Sequence, residues 1–206
     1  MTIGLTRISD WLGSGSINIF GLPFAGKDTQ GHLLAEEFGG TLLGGGEILR
    51  NSIIPDHVKV IMEAGGLIPT EDYLSIVLPY LSKEEFTGKP LILSSVGRWH
   101  GEEDGVLQAT EQSGHPLRAV LFLSVPQDVI YERWEIAQAT GDRGNRVDDS
   151  REKLAVRLAE FQQKTVPVIE FYRDKGLLVE VDASQHVIDV TRDIIDALGR
   201  CAEQTS

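Results

Sequence analysis

Residues Gly21-Leu22-Pro23-Phe24-Ala25-Gly26-Lys27-Asp28-Thr29 decide the fold of this chain. They carry the Gly-x-x-x-x-Gly-Lys skeleton of a phosphate-binding loop, with the hydroxyl residue one place later than in the general pattern. A compact apolar run, Ile17–Phe20, stops at the first glycine, and a helix-like stretch, Lys27–Phe38, starts at the lysine. In that strand–loop–helix setting the glycines let the backbone curl until successive N–H groups point inward at phosphate oxygens. The following helix adds the positive end of its dipole. Lys27 is then placed to bridge transferable phosphates, and Thr29 to orient phosphate or a metal's water shell. The plain alternative, a tight glycine turn with a solvated lysine, does not account for the full skeleton in its proper context.

Working outward, three more short apolar runs read as strands, at 90–93, 117–123 and 177–181. The stretches between them read as helices, over about 47–64, 71–82, 102–113, 127–139 and 150–175, with a last helix near 187–201. Strands separated by helices imply parallel pairing through right-handed crossovers, hence an α/β, doubly wound parallel sheet with helices on both faces. Within 150–175, Leu154, Leu158, Phe161, Thr165, Val168 and Tyr172 share one face, Pro167 predicts a bend, and Gly176 suits the end. Residues 1–16 read as an N-terminal extension, a turn or helix on a flexible tether of Gly13-Ser14-Gly15-Ser16; residues 17–206 read as a single domain.

Composition sets the bounds. A chain of 206 residues is long enough for one domain with a real core, and its 41% hydrophobic fraction is ordinary for a globular protein. Lysine and arginine total 19 against 31 acidic residues, a formal charge of -12, which argues against a duplex nucleic-acid partner. A few arginines focused in a cleft still suffice for a small phosphate ligand. The single Cys201 excludes an internal disulfide framework and a multi-cysteine metal site. The first residues lack the pattern of a signal peptide, and no apolar run reaches membrane-spanning length, so a cytoplasmic protein without a membrane partner is expected; a monomer is expected as well.

The loop extended to Gln30 resembles that of the adenylate kinase family of nucleoside monophosphate kinases, through Pro23 at its third place and Lys27-Asp28-Thr29-Gln30 at its end. The resemblance continues in order over about residues 17–198. It takes in Gly46-Glu47-Ile48-Leu49-Arg50, Gly66-Leu67-Ile68-Pro69, the segment Leu91–Arg98, Arg146-Val147-Asp148-Asp149, Arg157-Leu158, the stretch 166–172 and Val181-Asp182-Ala183-Ser184. The interval from Arg133 to Arg146 is short, as in the short-lid members, and leaves no room for a zinc-bearing insert. The resemblance implies a P-loop NTPase-like fold with a small helical acceptor-binding segment (44–82), a short lid (133–147), and ATP-dependent phosphoryl transfer to a nucleoside monophosphate, AMP by default. It implies that ATP is bound by Gly21, Pro23, Ala25, Gly26, Lys27, Asp28 and Thr29, with Arg133 and Arg143 from the lid. The acceptor falls to Gly45, Arg50, Leu67, Ile68, Arg98 and Glu102. Lys27, Arg98, Arg146 and Arg157 serve the transfer itself, and Mg2+ accompanies ATP near Asp28 and Thr29. Such a reaction asks for positioning and charge neutralisation rather than covalent help, which forked arginine contacts supply.

Three departures from the family pattern bear on the site. Ser94 stands where the family carries a metal-shell aspartate, and Asp28, where the family has glycine, is a candidate replacement carboxylate or else a cap on its helix. Gly97 and Trp99 replace a proline and a threonine around Arg98, which predicts a less constrained backbone there; His100 beside them reads as packed or solvated. Glu102 falls near the family's base-reading glutamine. An ionised carboxylate only accepts hydrogen bonds, which suits guanine's paired donors, although a surface carboxylate at a helix start is the plainer reading. Gly45, in place of a base-side hydroxyl residue, points the same way. Two further readings therefore stand beside AMP phosphorylation: a P-loop kinase for another small phosphate acceptor such as GMP, and a nucleotide-binding module with little turnover.

Overall fold

The computed structural model describes residues 2–63, 68–140 and 150–204. Among the described residues, five strands form one parallel sheet: β1 (Ser16–Gly21), β2 (Thr41–Gly44), β3 (Leu91–Ser94), β4 (Leu117–Ser124) and β5 (Leu178–Asp182), in the order β2-β3-β1-β4-β5. All four pairings are parallel. The chain leaves β1 toward β2 and β3 on one side, then crosses to β4 and β5 on the other. This reversal puts a crevice at the carboxyl end of β1, where open α/β sheets place their ligands. The α/β, doubly wound, P-loop-type architecture expected from the sequence is the one observed.

Burial explains the composition of the strands. β1 is buried along its whole length, so it reads as a continuous apolar run rather than an alternating one. Ile17 and Ile19 join a core with Leu34 of helix α2 (Lys27–Phe38), while Phe20 packs on the opposite face with Val168 and Tyr172. A separate cluster gathers Leu43, Leu91 and Leu93 with Ile76, Val77 and Leu81.

The first helix, α1 (Thr2–Leu12), lies against the C-terminal helix, whose Ile194 and Leu198 share a core with Ile8 and Leu12; Arg7 pairs with Glu203. The flexible tether expected after it is corrected. Gly15 N–H donates to Leu12 O at 2.7 Å, Ser14 Oγ to Gly114 O at 3.0 Å, and buried Ser16 already belongs to β1 with its Oγ on His115 O at 2.9 Å. Each polar atom of this stretch that is bound to its neighbours is one fewer freedom for a linker.

Three other boundaries differ from expectation. β2 was absent from the sequence reading because Thr41, Leu42 and Leu43 form too short a run between glycines to show a period. The helix expected over 47–64 is two, α3 (Gly45–Arg50) and α4 (Asp56–Glu63), since Pro55 bars a helical conformation at the residue before it. After α5 (Thr70–Leu81), α6 (Glu103–Gln112) and α7 (Gln127–Thr140), the long amphipathic stretch runs as α8 (Arg151–Glu160), a π-helical turn (Phe161–Thr165) and α9 (Val166–Asp174), followed by α10 (Val187–Gln204). Pro167 supplies no N–H to the preceding turn and crowds its carbonyl, so the helix widens just before the proline. Among the described residues, no helix is long and apolar enough to cross a membrane.

Candidate active site

The loop after β1 takes the shape its glycines allow. Gly26 sits at φ 91° and Phe24, unusually for a non-glycine residue, at φ 65°. This left-handed pair turns the chain into α2, whose N-terminus opens on the crevice. Lys27 Nζ donates to Gly21 O at 2.8 Å and to Leu22 O at 2.9 Å, so its charge is held over the loop. Pro23 and Lys27 line a cavity of about 110 Å3 together with Ser95, Arg98 and Arg157.

Ala25, Gly26 and Thr29 line a second cleft, of about 210 Å3, with Arg133, Ala183 and Gln185. Arg133 reaches it from α7 and is fixed by backbone carbonyls: Nη2 donates to Ala183 O at 2.7 Å and Nη1 to Phe24 O at 3.4 Å. The arginine thereby ties the phosphate loop to the turn after β5. Asp28, exposed in the first turn of α2, brings Oδ1 to 3.5 Å from Ser94 Oγ at the end of β3. The acid gained and the serine in place of an acid thus face each other.

A larger cavity, of about 600 Å3, opens on the other side and is lined by Gly45, Arg50, Ile68, Arg98, Glu102 and Arg157. Its volume is that of a site for a nucleotide-sized ligand. Arg98 and Arg157 line this cavity and the one at Lys27, so the two spaces meet at these arginines. Arg143, Arg146 and Leu67 lie outside the described residues.

The segment carrying Arg98 is closely held, which corrects the expectation of a loose backbone. Asn18 of β1, buried, donates from Nδ2 to Val96 O at 2.7 Å and accepts from Val96 N–H at 3.3 Å. Ser95 N–H donates to Ile19 O, and Ser95 adopts φ 55°. Gly97 sits at φ 64°, and a Cβ there would lie 2.2 Å from Val106 Cγ2. From the π turn, Thr165 Oγ1 donates to Arg98 O at 2.9 Å, and Lys164 O accepts from His100 N–H at 3.0 Å. Packing and hydrogen bonds do here what a proline does elsewhere. Gly45 also has a steric reason: a Cβ on it would come within 2.6 Å of Ser95 O.

Glu102 is not the surface carboxylate that a helix start suggests. It is 7% exposed, and its Oε2 accepts from Trp99 N–H at 3.3 Å. Burial foremost lifts its pKa from 4.5 to about 7, against the pull of the Trp99 N–H and Arg98; the nearby Glu103 adds to the rise. Tyr73, whose hydroxyl burial holds well above its ordinary pKa, also lines the acceptor-side cavity. His100 is solvent-exposed and bonded through Nδ1 to Glu103 Oε1 at 2.8 Å. Sequence reasoning missed Asn18, Tyr73 and Thr165. A polar Asn18 inside an apolar run was the one signal available.

Comparison with known proteins agrees with this geometry. The profile of the family described as adenylate kinase matches residues 19–177. The chain belongs to the adenylate kinase family. It is similar to the adenylate kinase of Dehalococcoides mccartyi, 30% identical over 89% of this chain and 97% of that protein. It is also similar to those of Bartonella bacilliformis, 31% identical over 86% and 96%, and Bacillus subtilis, 27% identical over 88% and 96%. As a family member the chain is a nucleoside monophosphate kinase, a phosphotransferase that uses ATP as co-substrate.

Proposed function

We propose that the chain transfers the terminal phosphoryl group of ATP to a nucleoside monophosphate, AMP by default, with the transfer taking place at Arg98 and Arg157. The observation that carries this reading is the meeting of two cavities there, one holding the phosphate-loop Lys27 and the other Arg50 and Glu102. An acceptor phosphate gripped by Arg50 and Arg98 faces a donor phosphate on the loop. Its oxygen then bonds to the terminal phosphorus of ATP as the bond to the bridging oxygen of ADP breaks. Lys27 and the arginines neutralise the charge spread over the transferring group.

On this reading Gly21, Pro23, Ala25, Gly26 and Thr29 belong to the ATP side with Arg133, and Gly45, Leu67 and Ile68 to the acceptor side. Arg143 and Arg146 enter from the lid at 133–147, on the strength of the sequence resemblance. Closure of the arginines over the transferring group excludes water, which would otherwise take the phosphoryl group. Mg2+ suits the residues present. Among the described residues there is no group of three or more His, Cys, Asp or Glu side chains able to hold a metal. That fits an ion held chiefly by phosphates and water, with Asp28, Ser94 and Thr29 ordering its water shell. The ion's part is to neutralise charge on the phosphates. We take the protein to act as a cytoplasmic monomer on small nucleotides, without nucleic acid or membrane.

A coupled ADP-release assay with ATP and Mg2+ against AMP, GMP, CMP, UMP and dAMP tests the reading. Turnover of one acceptor, lowered at least about a hundredfold by Lys27→Ala, is the expected result. Tight ATP binding with no turnover of any acceptor would leave a binding module instead.

A further inference from the structure

Glu102 is the one buried carboxyl group that lines the acceptor-side cavity among the described residues. It has a single weak internal partner, the Trp99 N–H at 3.3 Å, and among the described residues no ion pair and no second hydrogen bond reach it. Charged and titratable groups approach it from each element packed around it. Arg98 comes from the segment before α6, Glu103 from α6, Tyr73 from α5 and Tyr172 from α9. Arg50 and Arg157 line the same cavity. Glu103 is already occupied, by the His100 ring and the Gly101 N–H. Arg98 lowers the pKa of Glu102 less than burial raises it, so the group changes charge near pH 7.

The two forms of this carboxyl offer different hydrogen-bond patterns. The acid presents one O–H donor and one carbonyl acceptor side by side; the carboxylate presents acceptors alone. Adenine's pairing edge sets an amine donor beside a ring-nitrogen acceptor, which matches the acid. Guanine's sets a ring N–H beside an amine, two donors, which match the carboxylate. A mismatched pair leaves a buried polar group unsatisfied, a penalty that discriminates strongly between ligands.

We propose that Glu102 reads the base of the acceptor through its protonation state, so that one site prefers AMP when Glu102 is the acid and GMP when it is the carboxylate. The inference rests on the acceptor cavity assigned under the proposed function, and it deepens that reading to purine monophosphates chosen by pH.

The test is kcat/KM for AMP and for GMP, measured with saturating ATP and Mg2+ from pH 6 to pH 8.5 and read as the AMP-to-GMP ratio. Ionisation of the acceptor phosphate and of the arginine-lined site affects both substrates alike and cancels in the ratio. The expected ratio falls by at least about tenfold across this range, with its midpoint near pH 7. Glu102→Gln, a near-isosteric change, fixes the donor-plus-acceptor pattern and should give a flat ratio favouring AMP, with KM for ATP unchanged. Turnover of both purines with a flat wild-type ratio would overturn the inference and leave the kinase reading standing. Turnover of neither purine while another monophosphate is phosphorylated would overturn the inference alone, and turnover of no monophosphate at any pH would overturn both.

Discussion

Asn18 and Val96 hold each other by two hydrogen bonds, Nδ2 to the Val96 carbonyl at 2.7 Å and the Val96 N–H to Oδ1 at 3.3 Å. One side chain in the buried central strand therefore satisfies both backbone groups of a residue two positions before Arg98. Asn18→Ala strips partners from a buried donor and acceptor at a cost of roughly 2–5 kcal/mol in stability. It also frees the segment that aims Arg98. Urea unfolding should show the loss, and kcat/KM for the acceptor should fall by more than KM for ATP changes. A stable variant with unchanged acceptor kinetics would show that Asn18 does not position Arg98.

Gly97 makes a sharper case. Its φ of 64° and the 2.2 Å approach of Val106 to a would-be Cβ leave no room for any side chain. Gly97→Ala should destabilise the protein by about 2 kcal/mol or more, from the strained backbone and the displaced Val106 together. Because Gly97 directly precedes Arg98, the change should also lower kcat/KM for the acceptor, and Val106→Ala in the same chain should recover part of that kinetic loss by removing the atom that the new methyl meets. Absence of any recovery would mean that backbone strain alone carries the effect.

These residues show what could be read from sequence and what could not. The helix at Lys27–Phe38 is bounded by Gly26 and Gly39, both left-handed, and such local punctuation is visible in a single sequence. The phosphate loop is legible for the same reason. β2 is not, because three residues carry no period. Asn18–Val96 and Thr165–Arg98 join residues 78 and 67 positions apart, and only the folded topology brings them together. Glu102 failed differently. Its local sequence is that of an exposed helix start, yet the fold leaves it buried, with Tyr73 of α5 close enough to feel its charge.

Asp28 and Ser94 supply a prediction about the metal. If their 3.5 Å approach marks a shared hold on the Mg2+ water shell, Asp28→Gly should raise the Mg2+ concentration for half-maximal turnover about tenfold, the scale typical of an outer-shell partner. Binding of Mn2+ to the ATP complex, followed by the broadening of its paramagnetic resonance, gives a readout apart from turnover and should weaken in parallel. Unchanged metal dependence would reduce Asp28 to a first-turn carboxylate favoured by the helix dipole.

Glu102 also sets a pH dependence of stability that is independent of any substrate. Its pKa is raised in the folded protein, from 4.5 to about 7, so between those values the folded state holds a proton that the unfolded chain has released. Stability therefore falls as pH rises through this window and levels off above it, and the contribution is fully present below pH 4.5. The shift caps the effect at about 3 kcal/mol. Other carboxylates titrate in the lower part of the window, so the comparison that isolates Glu102 is with Glu102→Gln, which has no proton to lose. Between pH 5 and pH 7.5 the wild type should lose stability to denaturant relative to this variant, most steeply from pH 5 to pH 7. Parallel curves for the two proteins would mean that the carboxyl titrates as it does in the unfolded chain, and that its burial is relieved by water on the cavity side.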